Sequence, residues 1–247
     1  MISHRFDLDS ISQHIIKYGV EIRPGINLEL ERTKLQDFAN CLIDQFPGVF
    51  ETLLSGPRQF NINKAFKLDG GKQAQLSTFM LTTRGLVFTF PKRLFLETPQ
   101  DLDLGGLDSI FLEAMGQLRK RFSDKVIPRI NLTHELVLNT DQESSLDIAA
   151  SYLAPSRWKE GLANLRILLE STHNGTNVTV EIKPTFQSPA GRPPAAPAEN
   201  AKYGMIVIAN LNAVSADKSL SRPEIEELQA FSEYFVPQEL INYLNGD

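Results

Sequence analysis

The chain has 247 residues, 42% of them hydrophobic and 22% charged, with a formal net charge of −5. That balance is ordinary for a folded domain and gives no overall basic footprint for nucleic acid. The single cysteine, Cys41, excludes an internal disulfide and a cysteine-rich metal cluster.

No apolar run approaches the ~18 residues of a membrane-spanning helix, and the opening "MISHRFDLDS" carries no apolar signal core. The expectation is a reduced, cytoplasmic protein without a membrane partner. In "HIIKYGVEIRP", Ile16, Tyr18, Val20 and Ile22 alternate with Lys17, Glu21 and Arg23, which predicts a half-buried strand. "TKLQDFANCLIDQFPG" predicts a helix, with Leu35, Phe38, Ala39, Leu42, Ile43 and Phe46 on one stripe. Thr33 and Gln36 are spaced for a capping box at its start, and Pro47-Gly48 for its stop. Three strands follow in "RQFNINKAFKL", "AQLSTFMLTT" and "LVFTFPKR", joined by a glycine-led turn in "LDGGKQ" and a tight turn at Arg84-Gly85. A helix carrying Leu107, Ile110, Phe111, Ala114, Leu118 and Phe122 closes this half.

The second half repeats the order. "KVIPRINLTHELVLN" is a long strand with Ile130, Leu132, His134, Leu136 and Leu138 on one side, and Arg129, Asn131, Thr133 and Glu135 on the other. "ESSLDIAASYLAP" predicts a short helix stopped before Pro155. "LANLRILLES" and "VTVEIKPTF" form a hairpin through Asn174-Gly175, and "YGMIVIANL" supplies a further strand. Ser221 and Glu224 form a capping box with Pro223 in the first turn of the last helix, which Pro237 restarts as a terminal segment. The fold class is therefore α+β: two pseudo-duplicated β-α-β-β-β-α units, 1–123 and 124–247, integrated in one domain. They share a mostly antiparallel sheet with helices on one side. The Pro/Ala-rich stretch 188–200 is an inserted loop between strands, because the chain after it is too short to hold a core alone.

Chemical motifs fail on inspection. "HELVL" begins as a zinc-protease motif, but Leu138 stands where the second histidine belongs and the segment has strand periodicity. His134 is read as a hydrogen-bonded core histidine; His4, His14 and His173 are far apart, and nothing in the sequence groups them. "DGGKQ" lacks the leading glycine and the hydroxyl of a phosphate loop, and the acidic run at Asp101 and Asp103 lacks a calcium loop's twelfth-position carboxylate. Cys41 has no activating neighbour on its helix. No catalytic residue, metal ligand or cofactor is assigned.

The polar faces of the strands are the informative feature. Arg23, Asn61, Arg129, Asn131, Glu135 and Arg166 are expected to project from the side of the sheet away from the helices and to form a recognition platform. The leading expectation is a non-enzymatic binding or interaction module with a protein partner. Nucleic acid is disfavoured but left open by local basic clusters, and a homo-oligomer is compatible. The alternative is an enzyme or small-ligand-binding protein with a cavity between sheet and helices.

The segments "YGVEIRP", "DFANCLIDQFPGVFE", "VIPRINLTHEL", "YGMIVIANLNA" and "IEELQAFSEYFVPQELINYL" resemble a sporadically distributed bacterial family of uncharacterised proteins. The resemblance spans most of the chain and implies a duplicated α+β fold of bacterial, cytoplasmic origin. It carries over no activity and no catalytic residue.

Overall fold

The structure, a computed structural model, describes residues 6–56, 59–67, 73–95, 99–101, 106–139, 166–173, 175–187, 202–216 and 218–245. The helix expected within 143–154 and the loop 188–200 lie outside these residues.

The described strands are β1 (Ile11–Arg23), β2 (Thr52–Ser55), β3 (Gln59–Lys67), β4 (Gln73–Thr82), β5 (Gly85–Phe95), β6 (Pro99–Asp101), β7 (Val126–Asn139), β8 (Ile167–His173), β9 (Thr176–Gln187) and β10 (Lys202–Val214). They form one antiparallel sheet in the order β2-β3-β4-β5-β1-β7-β10-β9-β8, with β6 attached to β5. The two short strands β2 and β6 have no counterpart in the sequence reading. Outward from the central β1/β7 pair, one side runs β5, β4, β3 and the other β10, β9, β8. The architecture is α+β with an open antiparallel sheet.

Alternation decides which face is covered. On β1, Ile16, Tyr18, Val20 and Ile22 are buried, as are Ile130, Leu132, Leu136 and Leu138 on β7. The helices α1 (Arg32–Gln45), α2 (Leu107–Arg121) and α3 (Arg222–Tyr234) turn their apolar stripes to that same face. Their buried residues and the sheet's form one core. Phenylalanines tie the layers together: Phe38 of α1 meets Phe79 of β4, and Phe88 of β5 stacks with Phe111 of α2. Each fully buried ring stabilises the fold by about 1.5–3 kcal/mol.

Helix ends follow local chemistry. The Ser221–Glu224 capping box forms as expected. The Thr33–Gln36 box does not: α1 begins at Arg32 with no side-chain cap from Glu31. The turn before it is instead fixed by Asn27, whose Oδ1 accepts the amides of Glu29 and Leu30, while Glu31 accepts the Asn27 amide. Pro237 does not restart the last helix. The chain passes from α3 through a wider π-helical stretch, Phe235–Leu240, directly into α4 (Ile241–Asn245). Proline has no amide hydrogen to give, and the wider turn absorbs that loss without a break.

Among the described residues no helix is long and apolar enough to cross a membrane.

Candidate functional site

The register of β1 on β7 pairs Ile16 with His134 and His14 with Leu136. His14 and His134 are therefore diagonal neighbours on the covered face of the sheet, close enough for ring contact. His14 Nε2 lies 2.8 Å from His134 Nδ1. The other nitrogen of His134, Nε2, is hydrogen-bonded to Ser232 Oγ of α3. Ser232 gets there because α3 buries Ile225, Leu228, Gln229 and Ser232 as one stripe, and the last two of these are polar. The result is a continuous chain, Ser232–His134–His14, all of it buried.

A second polar chain runs beside it. The Tyr18 hydroxyl donates to Asp108 Oδ1, and Gln229 Nε2 donates to the Tyr18 oxygen at 3.0 Å and to the Asp108 carbonyl at 3.3 Å. Tyr18 also stacks on Phe111, with ring centroids 3.8 Å apart, so its ring is fixed while its hydroxyl reaches polar partners.

Both chains border a cavity of about 820 Å³ between sheet and helices. Ile11, Ile16, Leu132 and Val236 give it apolar walls. Leu8, Asp9, Lys92 and Ser109 are exposed at its rim, so the cavity reaches solvent. A β-bulge shapes one edge: His14 faces Arg93 and Ile15 faces Pro91, which leaves Lys92 as the extra residue of β5. Arg93 then donates to the carbonyls of Leu8 and Ile11, at 3.1 and 2.8 Å, and holds the chain entering β1 across the cavity mouth.

Burial sets the protonation states. It lowers the pKa of His134 to about 4, assisted by the charge of Lys92. His14 is held lower still, first by burial and then by His134, Lys92 and Arg93. Both rings are neutral near pH 7, so one proton is shared between them and the chain is directional. With that proton on His134 Nδ1, Nε2 of the same ring is free to accept the Ser232 hydroxyl. Tyr18 is pushed above its ordinary range, first by burial and then by the Asp108 charge, and stays a neutral donor.

No protein-family model matches the chain, and no curated protein matches it.

The six residues proposed from sequence lie on the opposite, polar face. Arg23 is bonded to Glu21 at 2.5 Å, Glu21 sits opposite Arg129, and Arg129 donates to Asn212 at 3.0 Å. Asn131 is two residues along β7 from Arg129, so Arg23, Arg129 and Asn131 belong to one neighbourhood. Glu135 pairs with Lys17 at 2.6 Å farther along the same strands. Arg166 grips Glu181 through two contacts of 2.9 Å beside the edge strand β8. Asn61 shares a transverse row with Asn131 but stands four strands away, about 19 Å. The sheet thus gathers three of the six and spreads the others along one face.

The sequence reading of His134 as a buried, hydrogen-bonded histidine agrees with the structure, where it is 4% exposed with two partners. Its partner His14 was not expected: sheet pairing brings His14 to His134 across 120 positions. Ser232, Gln229, Tyr18 and Asp108 were not singled out. The available signal was polar residues standing in phase with buried ones on β1, β7 and α3.

Proposed function

We infer that the protein binds a small, largely apolar organic molecule in the cavity between the sheet and the helices. The observation that carries this is the convergence of two hydrogen-bonded polar chains, one ending at Ser232 and one at Asp108, on a cavity with apolar walls. A volume of about 820 Å³ lies in the range that encloses a drug-sized ligand. The rim carries Asp9, Asp108 and Glu233 against Lys92 and Arg93, a near-balanced set that favours an uncharged ligand over an anion or a cation.

The test is a thermal-shift screen of small neutral metabolites against the whole chain, repeated on Ser109→Trp. Ser109 is exposed on the rim, so a tryptophan there fills the entrance without disturbing the core. Ligands that raise the melting temperature of the wild type and not of the variant locate the site. Shifts of equal size in both proteins would place binding elsewhere.

A second reading keeps the polar sheet face as a surface for a protein partner or a second copy of the chain. It is favoured by the buried Oδ1 atoms of Asn61, Asn63 and Asn131, which have no donor among the described residues. The matching strand orders on either side of β1/β7 also support reading the two halves as an internal duplication.

A further inference from the structure

We propose that Ser232 is a nucleophile, activated by His134 with His14 behind it, and that the cavity hydrolyses small uncharged carboxylic esters with an apolar acyl group. This rests on the cavity being a ligand site and goes beyond it by assigning a reaction.

An unassisted serine hydroxyl is a poor nucleophile. What activates it is a base within hydrogen-bond reach, oriented in turn by a third group. That arrangement is present here. Ser232 Oγ is bonded to His134 Nε2, and His134 Nδ1 is bonded to His14 Nε2 at 2.8 Å. All three side chains border the same cavity. In the tautomer the reaction uses, His134 carries its proton on Nδ1 toward His14, and its Nε2 is the acceptor that Ser232 needs. His14 fixes the tautomer and ring angle and does not touch substrate; it is a positioning residue. The cluster is also placed where the helix departs from regular geometry, since Ser232 lies just before the π-helical stretch Phe235–Leu240, a feature common at functional sites.

The same cavity offers donors for the oxyanion. The first turn of α2, from Gly106 to Ser109, lines its wall. No side chain of the described residues caps this helix, whose Gly106 has φ of 72°. The first-turn amides have no intrahelical acceptors and carry the positive end of a 15-residue helix. Lys92 and Arg93 stand on the same rim. The apolar walls at Ile16, Leu132 and Val236 receive the acyl chain, and the carboxylates of Asp9, Asp108 and Glu233 disfavour an anionic substrate.

The chemistry balances without a co-reactant other than water. Ser232 Oγ attacks the ester carbonyl carbon, the new C–O bond forms, and the hydroxyl proton passes to His134 Nε2 as the carbonyl electron pair moves onto oxygen. Collapse of the tetrahedral species breaks the bond to the leaving alkoxide, which takes the proton from His134 and departs as alcohol. Water then attacks the acyl-serine carbonyl, its proton goes to His134, and that proton returns to Ser232 as the carboxylic acid is released.

The experiment uses the full chain, an alkyl fluorophosphonate read by intact mass and peptide mapping, and p-nitrophenyl butyrate turnover. The expected result is one adduct, on Ser232, and turnover that falls by about 100-fold or more in Ser232→Ala. The fold of that variant is certified by a single cooperative thermal unfolding transition and a far-UV circular dichroism spectrum matching the wild type. His14→Gln, which keeps an acceptor, should retain more activity than His14→Leu. Should Ser232→Ala misfold, Ser232→Cys in a Cys41→Ser background is the second route, and alkylation of that thiol by an alkyl iodoacetamide is expected. An absent fluorophosphonate adduct, or turnover equal in wild type and Ser232→Ala, overturns the nucleophile while a persisting thermal shift leaves the cavity reading standing. Loss of the thermal shift in the wild type itself overturns both.

Discussion

Asn245 closes its side-chain amide on the backbone of Phe6, 239 positions away: the Phe6 amide donates to Asn245 Oδ1 at 2.7 Å, and Asn245 Nδ2 donates to the Phe6 carbonyl at 2.8 Å. This reciprocal pair pins α4 to the segment that leads into β1. Phe6 is 2% exposed and belongs to the core. Residues Leu8 and Asp9, at the cavity rim, follow directly from the pinned point. The two ends of the chain therefore share responsibility for one wall of the candidate site.

Asn245→Ala removes both bonds and leaves the backbone groups of Phe6 without these partners. The expected loss is about 1–2 kcal/mol in chemical denaturation. Faster hydrogen exchange at the Phe6 amide should accompany it. Asn245→Asp, which keeps an acceptor and loses the donor, should fall between wild type and alanine. Unchanged exchange at Phe6 in Asn245→Ala would show that the clamp is not formed in solution.

Much of the sheet was legible because its signals are local. The period-two patterns around Tyr18 and Leu132, and the Ser221–Glu224 box, need only a few neighbouring residues to be recognised. The start of α1 was misread because Asn27, outside the helix, supplies the turn that Thr33 and Gln36 were expected to cap. The residues that meet at the cavity were not legible for a different reason. Pairing of Ile16 with His134 is a long-range register, and no pattern within β1 or β7 specifies which residue of one faces which of the other. Without it, His14 and Ser232 are an isolated imidazole and an isolated hydroxyl. The polar face was read correctly as a face, but its separations depend on strand order: Asn61 and Asn131 share a row only because β4, β5 and β1 lie between them.

Acid should destabilise the protein through the histidine pair. Unfolded, both rings protonate near the ordinary value of about 6.5. Folded, burial keeps His134 neutral down to about 4 and His14 lower still. In this window the unfolded chain binds more protons than the native one, so stability falls as pH falls below about 6.5. The limiting slope for a group charged in the unfolded chain and neutral in the native one is on the order of 1 kcal/mol per pH unit, approached between these two pKa values. The charges around the pair are Lys92, Arg93, Asp9, Asp108 and Glu233, with Tyr18 neutral. Urea denaturation at several pH values from 7 to 4.5, at constant ionic strength, measures the slope. The His14→Leu/His134→Leu variant should flatten it, since contributions from carboxylates remain in both proteins. An equal slope in the two would show that these rings titrate freely.

Backbone proximity at Gly204 should make that position intolerant of any side chain. A Cβ built there would lie 2.7 Å from the Leu138 carbonyl oxygen, and the neighbour is backbone that cannot swing aside. Gly204→Ala is therefore expected to cost about 1–3 kcal/mol, as overpacking in a tight interior does. In a chain of this size that lowers the melting temperature by roughly 2–4 °C per kcal/mol. A melting temperature equal to that of wild type would mean β10 sits farther from β7 at this end than the pairing of Gly204 with Asn139 implies.

The polar face separates stability from recognition. Arg166 is gripped by Glu181 in a fork, yet its side chain is 65% exposed, and Arg129 meets Asn212 at an exposed site. Exposed pairs of this kind are screened by water and contribute about 0–1 kcal/mol. Arg129→Ala and Arg166→Ala should each change stability by no more than about 0.5 kcal/mol. If the face recognises a protein or a second copy of the chain, the cluster of Arg23, Arg129 and Asn131 is where the loss should concentrate, because it combines a planar cation with buried Asn131 Oδ1. Sedimentation of the purified chain at increasing concentration reads self-association, and pull-down with a tagged chain followed by identification of captured proteins reads a partner. Arg129→Ala should abolish the association that Arg166→Ala, three strands from β7, leaves intact. A folded Arg129→Ala protein that retains both self-association and every captured partner would remove this cluster from consideration as a binding site.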